Sequence, residues 1–328
     1  MASGRLFRPS PSTLAPGLPK FAAVFAAFLT TVLFSISVVC GHRSAKLIGG
    51  TEANFWRLTC ATIMLGVWAY GFGRGLSGDA FPLFLLSGIL GIGVGDVALF
   101  QALPRLGSRL SLLLIQCLTA PFGALIEWGW LGTTLTLWQI LCGLTILAGV
   151  GLALTPGEHL RLTRRDLAAG MAFSLLAALG GALGAVLSRK AYIVAHAAGQ
   201  PIDGANAAFQ RIVGGLFIGA ICLLIVKRRM LRRPAHAPLE MVTVSKKKWR
   251  GLWPWVLANS LAGQTLGVSA MQWALETTPT GIVLAIIALT PLVVIPFARV
   301  LEKERITGQS LAGGAMAVAG VIGLTLVK

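Results

Sequence analysis

The chain has 328 residues, of which 55% are hydrophobic and 12% charged, and its mean hydropathy is +0.79. Soluble globular domains carry about 25% charged residues, so little sequence is left over for a water-facing enzymatic domain. The formal net charge is +17, but it is scattered over short connections rather than gathered on one folded face, which argues against a nucleic-acid partner.

A basic, proline-containing tail, residues 1–20, precedes the first of ten apolar stretches. These are expected at 21–40, 53–72, 82–103, 109–129, 135–154, 167–187, 205–226, 253–275, 281–300 and 309–327. About 20 apolar residues suffice for a helix to cross the hydrocarbon core. The first stretch ends without a small-residue cleavage pattern and is read as a retained helix rather than a signal peptide.

Polar residues inside these stretches are the candidates for function. Arg57 sits about one turn inside the second, where its side chain either snorkels to the interface or binds an anionic group. In the third, Asp96 closes the run Gly91-Ile92-Gly93-Val94-Gly95-Asp96. A carboxylate at that depth costs about 2.5–3.5 kcal/mol on insertion scales unless it faces a cavity or a partner. It suits a proton-coupling group or a contact for a substrate amine, or else a structural acid bonded to a neighbouring helix. Gln116 in the fourth and Gln264 in the eighth are expected to glue helices together or to line a cavity. Pro121 and Pro291 are expected to kink the fourth and ninth. Glu127, beside Trp128 and Trp130, reads as a solvated end residue at the interface. Arg211 occupies in the seventh stretch the place Arg57 holds in the second. Glycines at 180, 181 and 184, and at 313, 314, 320 and 323, predict close helix contacts.

The ten stretches form two sets of five with landmarks in a common order. Phe55-Trp56-Arg57-Leu58 matches Phe209-Gln210-Arg211-Ile212, Ala102-Leu103 matches Ala274-Leu275, and Pro121 matches Pro291. Gly143 with Ala148-Gly149-Val150 matches Gly314 with Ala319-Gly320-Val321. Five is odd, so the second copy enters the bilayer from the opposite side. The expected fold is an all-α polytopic membrane protein with ten transmembrane helices as two inverted five-helix repeats, 21–154 and 167–328, joined by a loop at 155–166. Such repeats are common in secondary transporters, with the site between them near mid-membrane.

Of the 28 Lys and Arg residues, 19 fall on the side reached after the odd-numbered stretches, nine of them in 227–250. Positive loops stay cytoplasmic, which by itself places both termini outside. The loop 227–250 would also contact anionic lipid, at about 1 kcal/mol per basic residue near the surface. All five cysteines lie in or at the ends of apolar stretches, which disfavours a disulfide framework. The four histidines are dispersed without metal-ligand spacing. No cofactor, metal or catalytic activity is expected, and no ring-like filter points to a channel.

With these landmarks placed, the chain resembles the drug/metabolite transporter superfamily in its EamA-type ten-helix branch. The resemblance rests on the paired arginines, Phe100-Gln101-Ala102-Leu103 and Gln272-Trp273-Ala274-Leu275, the paired prolines and the Ala-Gly-Val endings. A turn Lys303-Glu304-Arg305-Ile306-Thr307 precedes the last helix, whereas Gly132-Thr133-Thr134-Leu135-Thr136 lacks the acid in the first half. The resemblance implies a multi-pass protein of the bacterial inner membrane, a monomer or homodimer, with both termini cytoplasmic, against the charge count. It implies transport of a small solute without naming one; the expectation taken with it is a secondary transporter, an exporter of a small polar metabolite such as an amino acid working by alternating access, for which Asp96 permits proton coupling. An anion exchanger handling nucleotide sugars or phosphate esters is the alternative, and a non-transporting scaffold or receptor the alternative of another class.

Overall fold

The structure, a computed structural model, describes residues 18–154, 163–231, 246–293 and 308–326, and all regular structure among them is helical. The helices are α1 (Leu18–Ile48), α2 (Gly50–Gly71), α3 (Phe81–Gly88), α4 (Gly95–Leu131), α5 (Leu137–Leu154), α6 (Arg164–Ala197), α7 (Gly204–Leu231), α8 (Lys246–Asn259), α9 (Val268–Thr277), α10 (Thr280–Ile287) and α11 (Gly308–Leu326). Two π-helical segments complete the set: π1 (Ile89–Val94) joins α3 to α4, and π2 (Ser260–Gly267) joins α8 to α9. By length and composition, four segments are clearly able to cross a membrane: Phe21–Ala45, Phe81–Leu99, Arg164–Ala197 and Gly204–Arg228. Three shorter apolar helices, Leu137–Leu152, Thr280–Val293 and Ala312–Leu324, accompany them.

Although α4 is helical from end to end, it makes two passes. A straight helix would separate residues 95 and 119 by about 36 Å, yet both lie against the same glycine of α6. A Cβ on Gly95 would stand 3.7 Å from the Gly181 nitrogen, and one on Gly181 would stand 3.4 Å from Thr119 Cγ2. Between them the chain reaches down α6 to Leu106, which packs on Gly170, and then returns until Glu127 meets Arg189. The segment 81–131 is therefore a helical hairpin along α6, and its two limbs are the third and fourth stretches.

Helix packing reveals the symmetry of the repeats. The pairs α2 with α7, α5 with α11, and α4 with α10 join equivalent members of the two sets. Each pair is antiparallel. Leu58 faces Gly219 while Gly66 faces Phe209; Cys142 faces Gly323 while Gly149 faces Ala317; Gly123 faces Leu284 while Glu127 faces Thr280. The remaining contacts exchange: α1 packs on π2 and α9, and α6 packs on π1 and α4. Antiparallel self-pairs with exchanged cross-pairs require a twofold axis perpendicular to the helices, in the membrane plane. The two π segments obey it as well. Displaced by the 172 residues that separate Ala102 from Ala274, π1 falls within π2.

The centre of the bundle is α10, whose residues Thr280–Ile287 are all buried. A helix apolar on every side belongs in the interior. Its helical run gives way to a turn at Ala288 and Leu289, just before Pro291. Proline has no N–H to give to the carbonyl four residues back. The Thr290 hydroxyl bonds that Ile287 carbonyl instead, at 2.6 Å, and Thr31 of α1 bonds the Ile286 carbonyl at 3.1 Å.

Three expectations are corrected. The basic segment 227–250 is not a loop throughout: Lys227–Arg229 continue α7 and Lys246–Arg250 open α8, Lys and Arg being good helix formers. Its middle, 232–245, lies outside the described residues, as do the turn 303–307 and most of the tail and of the connection 155–166. Glu127 is not a solvated end residue but is 1% exposed. Gly314 is not a contact position, since a Cβ on it meets nothing within 4 Å.

Candidate functional site

The two matching arginines lie in different surroundings. Arg57 donates through Nη2 to Asp96 Oδ2 and to Asn54 Oδ1, both at 2.6 Å. Three elements build this pair: α2 supplies Arg57 one turn after Asn54, π1 hands Asp96 to the start of α4, and the Ser260 hydroxyl of π2 bonds the Arg57 carbonyl at 3.0 Å. The side chains are 17% and 20% exposed. Asp96 is thus not an isolated carboxylate; its counter-charge is the first of the paired arginines.

Arg211 has no such partner. It is 3% exposed, and its Nε and Nη1 lack any hydrogen-bond acceptor among the described residues. The position that repeats Asp96, by the same displacement of 172, is Val268, which is buried and apolar. The guanidinium lies where α7 crosses the glycines of π1 and α6. A Cβ on Gly91 would be 3.2 Å from Arg211 Nη2 and 3.3 Å from the Gly184 Cα, and one on Gly88 would strike the Arg211 carbonyl. Glycine is what lets the arginine backbone and head approach this closely.

Other polar groups in the same half of the molecule also go unpartnered. The Tyr192 hydroxyl, the Gln264 Oε1 and both amide atoms of Gln272 are buried without a hydrogen-bond partner among the described residues. Tyr192, one turn beyond Ser188 on α6, packs edge-on to Phe84 of α3 at 5.2 Å. Such groups cost about 1–3 kcal/mol each when left unmade, so they mark where the bundle is unfinished by its own side chains. Nearby, Ser87 bridges to Ser188 at 2.9 Å across α3 and α6. Gln116 is half-buried and hydrogen-bonds to no described residue. Pro121 lies within α4, and Pro291 follows the turn in the ninth span.

Arg189 and Glu127 form a second polar cluster that sequence reasoning did not assemble. Their ion pair holds the connection from α9 to α10 from both sides. Arg189 Nη1 donates to the Leu275 and Thr278 carbonyls at 3.1 and 2.9 Å, capping α9, while Glu127 Oε2 accepts the Thr280 N–H at the start of α10. Helix ends leave such groups open, and the opposite charges suit the two dipole ends. In the sequence Arg189 reads only as a topology charge beside Lys190. Tyr192 and Gln272 carried no signal beyond their polarity, Gln272 being visible only as part of a landmark. Among the described residues, no three His, Cys, Asp or Glu side chains come together as a metal site requires.

The profile of the EamA-like transporter family matches residues 21–155 and 168–326, one match for each repeat. No curated protein matches the chain. A solved structure titled "Crystal structure of protein" has the same fold, with a TM-score of 0.72 at 15% sequence identity over 93% of this chain and 97% of the other. The inverted helical repeats and the double match together assign the chain to the EamA-like transporter family, multi-pass membrane proteins that move small molecules.

Proposed function

We propose that this protein is a secondary transporter that exports a small polar metabolite, such as an amino acid, across the bacterial inner membrane by alternating access. The observation that carries the reading is the set of buried polar groups without partners among the described residues, Arg211, Gln264, Gln272 and Tyr192, all four in the second repeat. A bundle that served only as a scaffold would gain by pairing or omitting them.

Asp96 is the coupling group in this reading. Protonation would cancel its attraction for Arg57, freeing α2 to move against the α3–α4 hairpin; a pair that breaks on protonation ties proton uptake to a change of shape. The test uses proteoliposomes holding the purified protein, a pH gradient and labelled amino acids. Wild-type protein should accumulate at least one of them against its gradient, and Asp96→Asn should abolish accumulation while leaving exchange at least partly intact. Unchanged gradient-driven accumulation in Asp96→Asn would remove Asp96 from coupling.

A further inference from the structure

We propose that Arg211, together with the Tyr192 hydroxyl, is the subsite that binds a single carboxylate group of the transported solute; this rests on the transporter reading above. The repeat makes Arg57 and Arg211 equivalent in position, and the structure makes them unequal in charge. Arg57 is neutralised by Asp96 at 2.6 Å. Arg211, roughly 10 Å inside the start of α7, is buried, joins no ion pair among the described residues, and has two guanidinium nitrogens without acceptors.

A guanidinium taken out of water costs several kcal/mol unless an anion and hydrogen-bond acceptors meet it. Among the described residues the protein supplies no anion, and none of them accepts from Nε or Nη1. The two carboxylates at the ends of α9 and α7 are engaged elsewhere: Glu276 pairs with His196 at 3.2 Å, and Asp203 accepts the Ala205 and Asn206 N–H groups and the Trp68 indole N–H. An external anion completes the charge, and Arg forks bind carboxylates in two-point fashion. Tyr192 stands on the face of α6 that carries Gly184 and Ser188, packs on Phe84 of α3 one turn before Gly88, and has a hydroxyl without a partner among the described residues; it is the second donor assigned to the same anion. The charge also sets the class. One unpaired guanidinium balances one negative charge, whereas a phosphate ester, close to doubly charged at neutral pH, would leave a charge uncompensated in a low-dielectric interior.

The full-length protein, purified in detergent, is titrated with L-alanine, L-lactate, lactamide, glycerol phosphate and sodium chloride while its melting temperature is followed. A ligand that binds the folded form raises the melting temperature. At least one of the two carboxylates should stabilise the wild type, and lactamide, which keeps the shape without the charge, should not. Arg211→Gln should weaken carboxylate binding by at least about tenfold, and Tyr192→Phe by a few-fold. Lys227→Gln, which removes an exposed charge at the far end of α7, should leave affinity within about twofold. If Arg211→Gln yields no folded protein, Tyr192→Phe, which deletes one unpartnered hydroxyl, decides the matter, and full affinity in it overturns the subsite. Stabilisation by neither carboxylate, by chloride equally well, or by glycerol phosphate in preference overturns it too. Flux of an uncharged or cationic solute that Tyr192→Phe leaves unchanged would remove the subsite but keep the transporter; carboxylate binding without flux of any solute would do the reverse.

Discussion

At the scale of single residues, charge pairing separates structural groups from candidates for function. Glu127 of α4 and Arg189 of α6 tie their two helices to the connection between α9 and α10, and each satisfies backbone groups as well as the other. Removing one charge of a buried pair leaves the other uncompensated, at about 3 kcal/mol or more. Glu127→Gln should therefore lower the melting temperature of the purified protein clearly, and Glu127→Leu with Arg189→Met should recover much of the loss; a Glu127→Gln protein as stable as wild type would show that the pair holds nothing. This cluster was hidden in the sequence because Glu127 and Arg189 stand 62 positions apart, and flanking tryptophans gave Glu127 the look of an interface residue. Asp96 was legible, since an acid among glycines in an apolar run stands out. Its partner was not, because nothing in the spacing of Arg57 and Asp96 says which helices touch.

At the scale of elements, the repeat was legible because matched landmarks keep their order, and the reversal inside α4 was legible as the break between the third and fourth stretches, while the π segments were not. Pro104 and Gly107 stand at that break; helical hydrogen bonding nevertheless runs through Leu106, and the contacts of the two limbs with Gly181, Gly170 and Arg189 show that the chain turns there. The π segments depend on packing around Gly91 and Gly263 rather than on any local preference. Glycine contacts make a graded prediction for α5 and α11. A Cβ on Gly149 would stand 2.6 Å from both the Ala317 nitrogen and the Gly313 oxygen, whereas one on Gly143 meets nothing within 4 Å. Gly149→Ala should cost about 1–3 kcal/mol as overpacking, and Gly143→Ala should be neutral or slightly stabilising through helix propensity. Thermal melts of the two variants compare them directly, and equal stability would contradict the antiparallel register given for this pair.

At the scale of the whole molecule, the odd repeat puts the second copy upside down, and the charge balance of its connections sets which way up it stands. The basic segment around 227–250 holds nine of the 28 Lys and Arg residues, so on charge alone it faces the cytoplasm. Cysteine introduced at Ser245 in a variant free of native cysteines should stay unlabelled by an impermeant reagent in intact cells; labelling would favour the opposite orientation, with both termini inside. Either orientation leaves the central claim intact, that solute passes between two inverted halves. Counterflow tests it most directly: proteoliposomes loaded with unlabelled amino acids are diluted into trace labelled ones. The account predicts transient accumulation of label that depends on the protein and is lost when Arg211 is replaced by Gln. Folded wild-type protein that gives no counterflow with any solute of the panel would contradict it.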